Sequence, residues 1–147
     1  MILKVFKVVW FLSLLGLFGV FFYVYASLPE MVTVQQEGAA RLDISREGIF
    51  YGALAIISMV NALVFVVSRM YRVRNIDFAA WFYGLVITLN AFFVIALSYL
   101  SLFNSGERFQ YERLGIIIYG SIILILGWAL AWPVLAVMKR ISSKPAV

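Results

Sequence analysis

The chain contains no cysteine and no histidine among its 147 residues. Without cysteine it has no disulfide framework, no thiol nucleophile and no Cys-x-x-Cys redox pair. Without either residue type it also lacks the common ligand sets of structural zinc and the histidine that holds haem in many proteins. We therefore predict no catalytic residue, no metal site and no cofactor-binding residue.

Charged residues are also scarce, at 13% of the chain, whereas hydrophobic residues make up 65% and the mean hydropathy is +1.01. An ordinary soluble domain is about half apolar and about a quarter charged. A chain of this length cannot hide so much apolar surface from water, because small domains have a high ratio of surface to volume. The composition predicts an integral membrane protein with a single membrane domain over residues 1–147.

Four apolar runs are long enough to cross the hydrocarbon, which takes about 20 helical residues. We predict an all-α bundle of four transmembrane helices at about 8–26, 49–67, 78–103 and 114–138. The predicted outer loops cover about 27–48 and 104–113, and the predicted cytoplasmic loop covers about 68–77. Lys4 and Lys7 before the first run resemble a secretory signal, but this run is longer than a signal core and is interpreted as an uncleaved helix.

The basic residues divide unequally between the two sides of this arrangement. Eight lie on one side and four on the other: Lys4, Lys7, Arg69, Arg72, Arg74, Lys139, Arg140 and Lys144 against Arg41, Arg46, Arg108 and Arg113. Since cytoplasmic loops are enriched in Lys and Arg, both termini are predicted to be cytoplasmic, in the cell inner membrane. The net charge of +5 is divided among these segments and forms no continuous patch, which argues against nucleic acid as a partner.

Aromatic residues agree with this topology. Tryptophans and tyrosines prefer the headgroup level of a bilayer. Trp10, Trp81 and Trp132 fall near the predicted cytoplasmic ends, and Tyr23, Tyr25, Tyr51, Tyr99 and Tyr111 near the outer ends. These two groups are interpreted as interfacial belts.

No ionisable residue falls within the four predicted hydrocarbon cores, because all seven acidic residues lie in loops or at helix ends. Ionisable residues at that depth usually mark ion paths and substrate sites. Their lack here argues against a proton pump, an ion-coupled carrier or a membrane hydrolase. We predict that the protein is not an enzyme.

Asn61 and Asn90 are the polar residues of interest within the spans. One interpretation is an interhelical contact, worth about 0.6–2 kcal/mol in a bilayer. The other is a polar contact for quinone or another ligand. Counting residues from the connecting loop leaves the two amides several Å apart in depth, so a direct bond between them stays open. We favour the packing interpretation.

Small residues mark predicted helix-packing faces, since they let helix backbones approach closely in a bilayer. The candidates are Gly16, Gly19, Gly52, Gly84, Gly120 and Gly127. These faces fit either against other helices of the bundle or against another protein.

The longest polar stretch, SLPEMVTVQQEGAARLDISREGIFY, covers residues 27–51. Leu28 and Pro29 end the first helix, because proline restricts the residue before it to extended conformations. Asp43 or Ser45 is expected to cap the second helix. Between Pro29 and Asp43, apolar and polar residues alternate and a glycine turn follows. This pattern predicts a short strand or an extended lid.

This stretch resembles the outer-loop pattern of a bacterial family of unknown function that is associated with SdpI-type membrane proteins. The positions that match in order are Leu28, Pro29, Val32, Gly38, Asp43 and Arg46, while Gln35 stands where the family has a histidine. The match covers about 25 residues. The resemblance implies a polytopic envelope protein with a role in immunity or signalling.

Three functions follow from these observations. The first is a non-enzymatic accessory or scaffold subunit, with larger membrane-protein partners or a homo-oligomer around it. The second is an SdpI-like immunity or signalling protein. The third is a small transporter or lipid-handling protein in which Asn61 and Asn90 line the path and quinone or lipid is the ligand.

Overall fold

The computed structural model describes residues 2–37, 40–71, 76–106 and 111–142. Its elements are α1 (Ile2–Ser27), β1 (Met31–Glu37), β2 (Ala40–Ser45), α2 (Arg46–Tyr71), α3 (Ile76–Asn104) and α4 (Tyr111–Ser142). Each helix contains a window that is long and apolar enough to cross a membrane. The prediction of a mostly helical chain with four candidate spans is confirmed.

Every helix extends beyond its predicted apolar run. The second span was placed at about 49–67, for example, whereas α2 covers Arg46–Tyr71. Its start is stabilised by Ser45, whose hydroxyl accepts a hydrogen bond from the Gly48 amide at 3.1 Å. Glu47 in the first turn and Arg69 in the last turn also suit the helix dipole. Apolar runs therefore locate the candidate spans, and the caps and charges set the ends of the helices.

The central helix is α3, which packs against α1, α2 and α4, whereas α1 and α2 make few contacts with each other. Its buried side includes several small residues, among them Ala79, Ala80 and Gly84, which allow neighbours to approach. By contrast, α4 contacts mainly α3 and exposes most of its apolar side chains.

Two apolar clusters lie at opposite ends of the bundle. The cluster at the hairpin end contains Leu17, Phe21, Val24, Leu28, Val32, Ile57 and Leu97. The cluster towards the other end contains Trp10, Val64, Tyr83 and Val86. Asn61 and Asn90 are buried between them along α2 and α3.

The predicted strand or lid is an antiparallel hairpin of β1 and β2. Val32 pairs with Ile44, and Val32 is fully buried in the cluster at the hairpin end. The next pair, Thr33 and Asp43, is polar, and Thr33 is also buried, at 6% exposure. Regular pairing is interrupted between Thr33 and Gln35. The predicted glycine turn at Gly38 lies outside the described residues.

Candidate functional site

The two buried asparagines bind each other. The Asn61 amide donates to Asn90 Oδ1 at 2.9 Å, and the Asn90 amide donates to Asn61 Oδ1 at 3.1 Å. The sequence left this bond open because of the difference in depth; in the structure the two side chains bridge α2 and α3. Asn90 is fully buried and Asn61 is 5% exposed.

Two residues of α1 complete this group, which we call the amide cluster: Trp10, Ser13, Asn61 and Asn90. The Trp10 indole donates to Asn61 Oδ1 at 2.9 Å, and the Asn90 amide donates to Ser13 Oγ at 3.0 Å. The Ser13 hydroxyl in turn donates to its own helix, at Trp10 O. Three helices therefore meet in one hydrogen-bonded group.

The amide cluster is saturated in donors. Asn61 directs one amide hydrogen to Asn90 and the other to Ile57 O at 3.0 Å. Asn90 directs its two hydrogens to Asn61 and Ser13. A ligand that bound here as an acceptor would have to replace one of these bonds. The geometry therefore favours the packing interpretation over a ligand contact.

Trp10 has a different environment from the interfacial belt predicted for it. Its ring is buried at 7% exposure, edge-on to Tyr83 at 5.7 Å and to Phe65 at 5.6 Å between ring centroids. Its N–H is directed at Asn61, and this bond satisfies an indole donor that burial would otherwise leave unpaired. The ring therefore packs inside the bundle, and its depth relative to the lipid headgroups stays a prediction.

A second contact, which we call the indole clasp, joins α3 to α4 through Trp81 and Trp128. The Trp81 indole donates to Trp128 O at 2.7 Å, and the Trp128 indole donates to Trp81 O at 2.9 Å. Gly84 lies against the Trp128 ring, where an added Cβ would stand only 2.6 Å from Cε2. Sequence reasoning placed Gly84 at a helix contact but gave no role to Trp128, because spacing does not show which ring a glycine faces.

The other five candidate packing glycines have open space around them. A Cβ added at Gly16, Gly19, Gly52, Gly120 or Gly127 would meet no atom of the described residues within 4 Å. Of the two alternatives left open by the sequence, close contact within the bundle is not made at these five positions among the described residues. Packing against another protein stays a prediction for these positions.

Asn104 at the end of α3 binds the hairpin. Its Oδ1 accepts from the Thr33 amide at 2.8 Å, and its Nδ2 donates to Thr33 O at 3.1 Å and to Leu100 O at 2.9 Å. One side chain therefore satisfies both backbone groups of Thr33, as a neighbouring strand would.

Arg46 joins the ends of α1 and α2. Its backbone amide donates to Glu30 O at 2.9 Å, and its guanidinium donates to Leu28 O at 3.3 Å and lies 5.2 Å from the centre of the Tyr25 ring. Together with Asn104 it fixes the hairpin on the end of the bundle.

Two cavities lie at opposite ends of the molecule. The hairpin-side cavity, of about 440 Å³, lies between α2 and α3 beneath Val34 and Ile44 and is lined almost wholly by apolar groups. The tryptophan cavity, of about 630 Å³, lies between α3 and α4 beside the indole clasp, and its walls include Asp77 and Lys139. Neither Asn61 nor Asn90 lines either cavity.

The described residues contain no group of three or more acidic side chains arranged to hold a metal ion. Comparisons of the chain with protein-family models, with curated proteins and with solved structures found no match. The resemblance of the first outer loop to the SdpI-associated family therefore stays a prediction that rests on the matching loop residues.

Proposed function

We propose that the protein is a multi-pass protein of the cell inner membrane and acts as a non-enzymatic accessory or scaffold subunit of a larger membrane complex. The amide cluster carries this proposal. A transport path or a ligand site within the spans needs polar groups that are free to bind cargo at depth. Here the polar groups at that depth bind one another and hold three helices together. We therefore expect a partner protein to bind at the outer surfaces of the bundle.

The surfaces offered to a partner include helix backbone left open by glycine. Gly16 and Gly19 lie on α1, and Gly120 and Gly127 on α4, each with room for an approaching helix. Close approach of backbones is a main source of helix association in a bilayer, where apolar burial adds little. The partner is a larger membrane protein or a second copy of the chain, and both termini lie in the cytoplasm.

Extraction in native nanodiscs tests this proposal. We expect the tagged chain to be isolated with a fixed stoichiometry of larger subunits, measured by particle mass and by mass spectrometry. The double variants Gly16→Leu/Gly19→Leu and Gly120→Leu/Gly127→Leu should keep the fold, because a Cβ at any of these positions meets no described residue within 4 Å. One pair should release the partner and the other should retain it. Recovery of the wild-type chain alone in its nanodisc would overturn the proposal.

Lipid handling is the second candidate, and the hairpin-side cavity favours it. The volume of this cavity lies within the range of about 300–1,000 Å³ that is usual for small-molecule sites. A stoichiometric lipid without a protein partner in the same nanodiscs would favour this function. The SdpI-like immunity or signalling role is supported by the loop resemblance alone. Transport past Asn61 and Asn90 is disfavoured, because their hydrogens are already bonded within the chain.

A further inference from the structure

The tryptophan cavity differs from the hairpin-side cavity in having charged residues on its walls. It is formed where the start of α3 faces the end of α4, and alanines such as Ala80, Ala131 and Ala136 leave room between the helices. Trp81, Trp128 and Trp132 supply aromatic walls. Trp residues prefer the headgroup level of a bilayer, so the cavity lies where lipid headgroups would be if the helices insert as proposed.

The aromatic walls are held in place by the indole clasp. Because the N–H groups of Trp81 and Trp128 already donate to backbone oxygens, these rings offer the cavity their apolar and π surfaces. Trp132 lies beside Trp81, with ring centroids 6.2 Å apart and planes inclined by 33°. A tryptophan face attracts a cation through its quadrupole. These walls therefore suit a ligand with a positively charged group.

Asp77 and Lys139 line the same cavity from different helices. Both side chains are exposed, and no ion pair joins them within the part of the chain that the structure describes. Asp77 near the start of α3 and Lys139 near the end of α4 each suit the helix dipole. The dipoles explain the sign of each charge but not the position of both on one cavity. An acid and a base that face one space complement a ligand with charges of both signs.

We propose that the tryptophan cavity binds the headgroup of a zwitterionic phospholipid, with its ammonium group towards Asp77 and its phosphate towards Lys139. The ammonium is attracted by the carboxylate and by the tryptophan faces, and the phosphate by the Lys139 ammonium. The acyl chains then lie along the exposed apolar side of α4, which includes Leu130 and Val134. This inference rests on the proposed insertion in a membrane but not on the scaffold role.

Competition between two lipids tests the proposal on the purified full chain. Phosphatidylethanolamine and phosphatidylglycerol with identical acyl chains are added in detergent, and bound lipid is counted by native mass spectrometry. Phosphatidylglycerol has the phosphate but no cation, so it meets Asp77 as a like charge. We expect about five-fold tighter retention of phosphatidylethanolamine, the effect of one elementary charge near a membrane surface. Asp77→Asn should abolish this preference, and Lys139→Gln should weaken retention of both lipids.

Matched controls come from α2. Glu47→Gln removes an acid from a first helical turn, and Arg69→Gln removes a base from a last turn, but neither residue lines the tryptophan cavity. Both variants should retain lipid as the wild type does. Ala136→Leu narrows the cavity without a change of charge and should reduce retention of phosphatidylethanolamine.

A charge exchange distinguishes recognition by two charges at fixed positions from an effect of net charge. Asp77→Lys/Lys139→Asp keeps the net charge of the cavity but exchanges the positions of its two charges. This variant should therefore lack the preference of the wild type for phosphatidylethanolamine. Equal retention of the two lipids by the wild type would overturn the proposal. So would equal effects of the α2 controls and the cavity variants. Thermal melting of each variant shows that lipid is counted on folded protein.

Discussion

At the scale of single residues, the amide cluster shows how long apolar helices can contain polar side chains whose donors are all bonded within the bundle. An unpaired amide in hydrocarbon is costly, because neither water nor a free backbone group is at hand to satisfy it. Asn61 and Asn90 bond to each other. Trp10 donates a further hydrogen bond to Asn61, and the remaining amide hydrogens are donated to Ile57 O and Ser13 Oγ. Since the donors point in fixed directions, the cluster also sets the register of three helices.

This reciprocal bond predicts a coupling energy. Asn90→Ala should lower the free energy of unfolding by about 1–2 kcal/mol, and Asn61→Ala by a similar amount, because unfolded helices in a membrane also find polar partners. The double variant should destabilise less than the sum of the two, since the second change removes a bond already lost. Unfolding in mixed micelles measures all three.

The control for this cycle is Asn104→Ala combined with Asn90→Ala. The two residues are 14 positions apart on α3, or roughly 21 Å along the helix, so their effects should add. Additivity between Asn61 and Asn90 would contradict the reciprocal bond.

The glycines predict opposite responses to one methyl group. Gly84→Ala should destabilise the protein by about 1–3 kcal/mol, because its Cβ would overlap the Trp128 ring, which the indole clasp holds in place. Gly52→Ala should be neutral or stabilise by up to about 1 kcal/mol, because its surroundings are open and alanine is the better helix former. Unfolding curves give the sign, and near-ultraviolet circular dichroism reports on Trp128. Equal effects would contradict the difference in packing.

At the scale of elements, the hairpin depends on its anchors. A two-stranded hairpin alone is only marginally stable in water. Here Asn104 satisfies the backbone of Thr33, and Thr33 also donates its hydroxyl to Asp43 at 2.7 Å across the strands. Val32 adds an apolar side chain to the bundle. Contacts with the helices therefore stabilise the strands.

Removal of the Asn104 anchor should loosen β1 selectively. Asn104→Ala leaves the Thr33 amide and carbonyl without their side-chain partner, so amide exchange at Thr33 should quicken by about ten-fold or more. Hydrogen exchange with mass spectrometry measures this in detergent. Asn90→Ala, which removes an amide deeper in the same helix, should leave exchange in the hairpin unchanged. Faster exchange in both variants would instead indicate general destabilisation.

Sequence patterns located the elements better than their contacts. Apolar runs found all four helices because hydrophobicity over about 20 residues is a strong signal. Alternation in the first outer loop indicated a strand, and the pairing of β1 with β2 bears this out. The rotation of each helix about its own axis could not be predicted from the sequence, because each helix is apolar around most of its circumference. That is why the sequence could not decide between the bundle and another protein for the glycines, left the Asn61–Asn90 bond open, and did not indicate the contacts of Trp10 and Asn104.

At the scale of the whole molecule, the amide cluster lies between two ends of different chemistry. The hairpin end has an apolar cavity beneath Val34 and Ile44, whereas the other end has the tryptophan cavity with Asp77 and Lys139. The two ends therefore suit different ligands or partners. Which of these each end meets depends on the side of the membrane on which it lies.

The sidedness predicted from the basic residues can be tested with single cysteines, because the chain has no cysteine of its own. The positive-inside rule, applied to the eight-to-four division, predicts that the hairpin lies outside and both termini lie in the cytoplasm. Leu42 on β2 is 53% exposed, so Leu42→Cys should react with a membrane-impermeant maleimide on intact cells. Ser142→Cys, at the exposed end of α4, should react only after permeabilisation. Labelling in the opposite order would invert the topology, and labelling of both from outside would contradict an arrangement in which four helices cross.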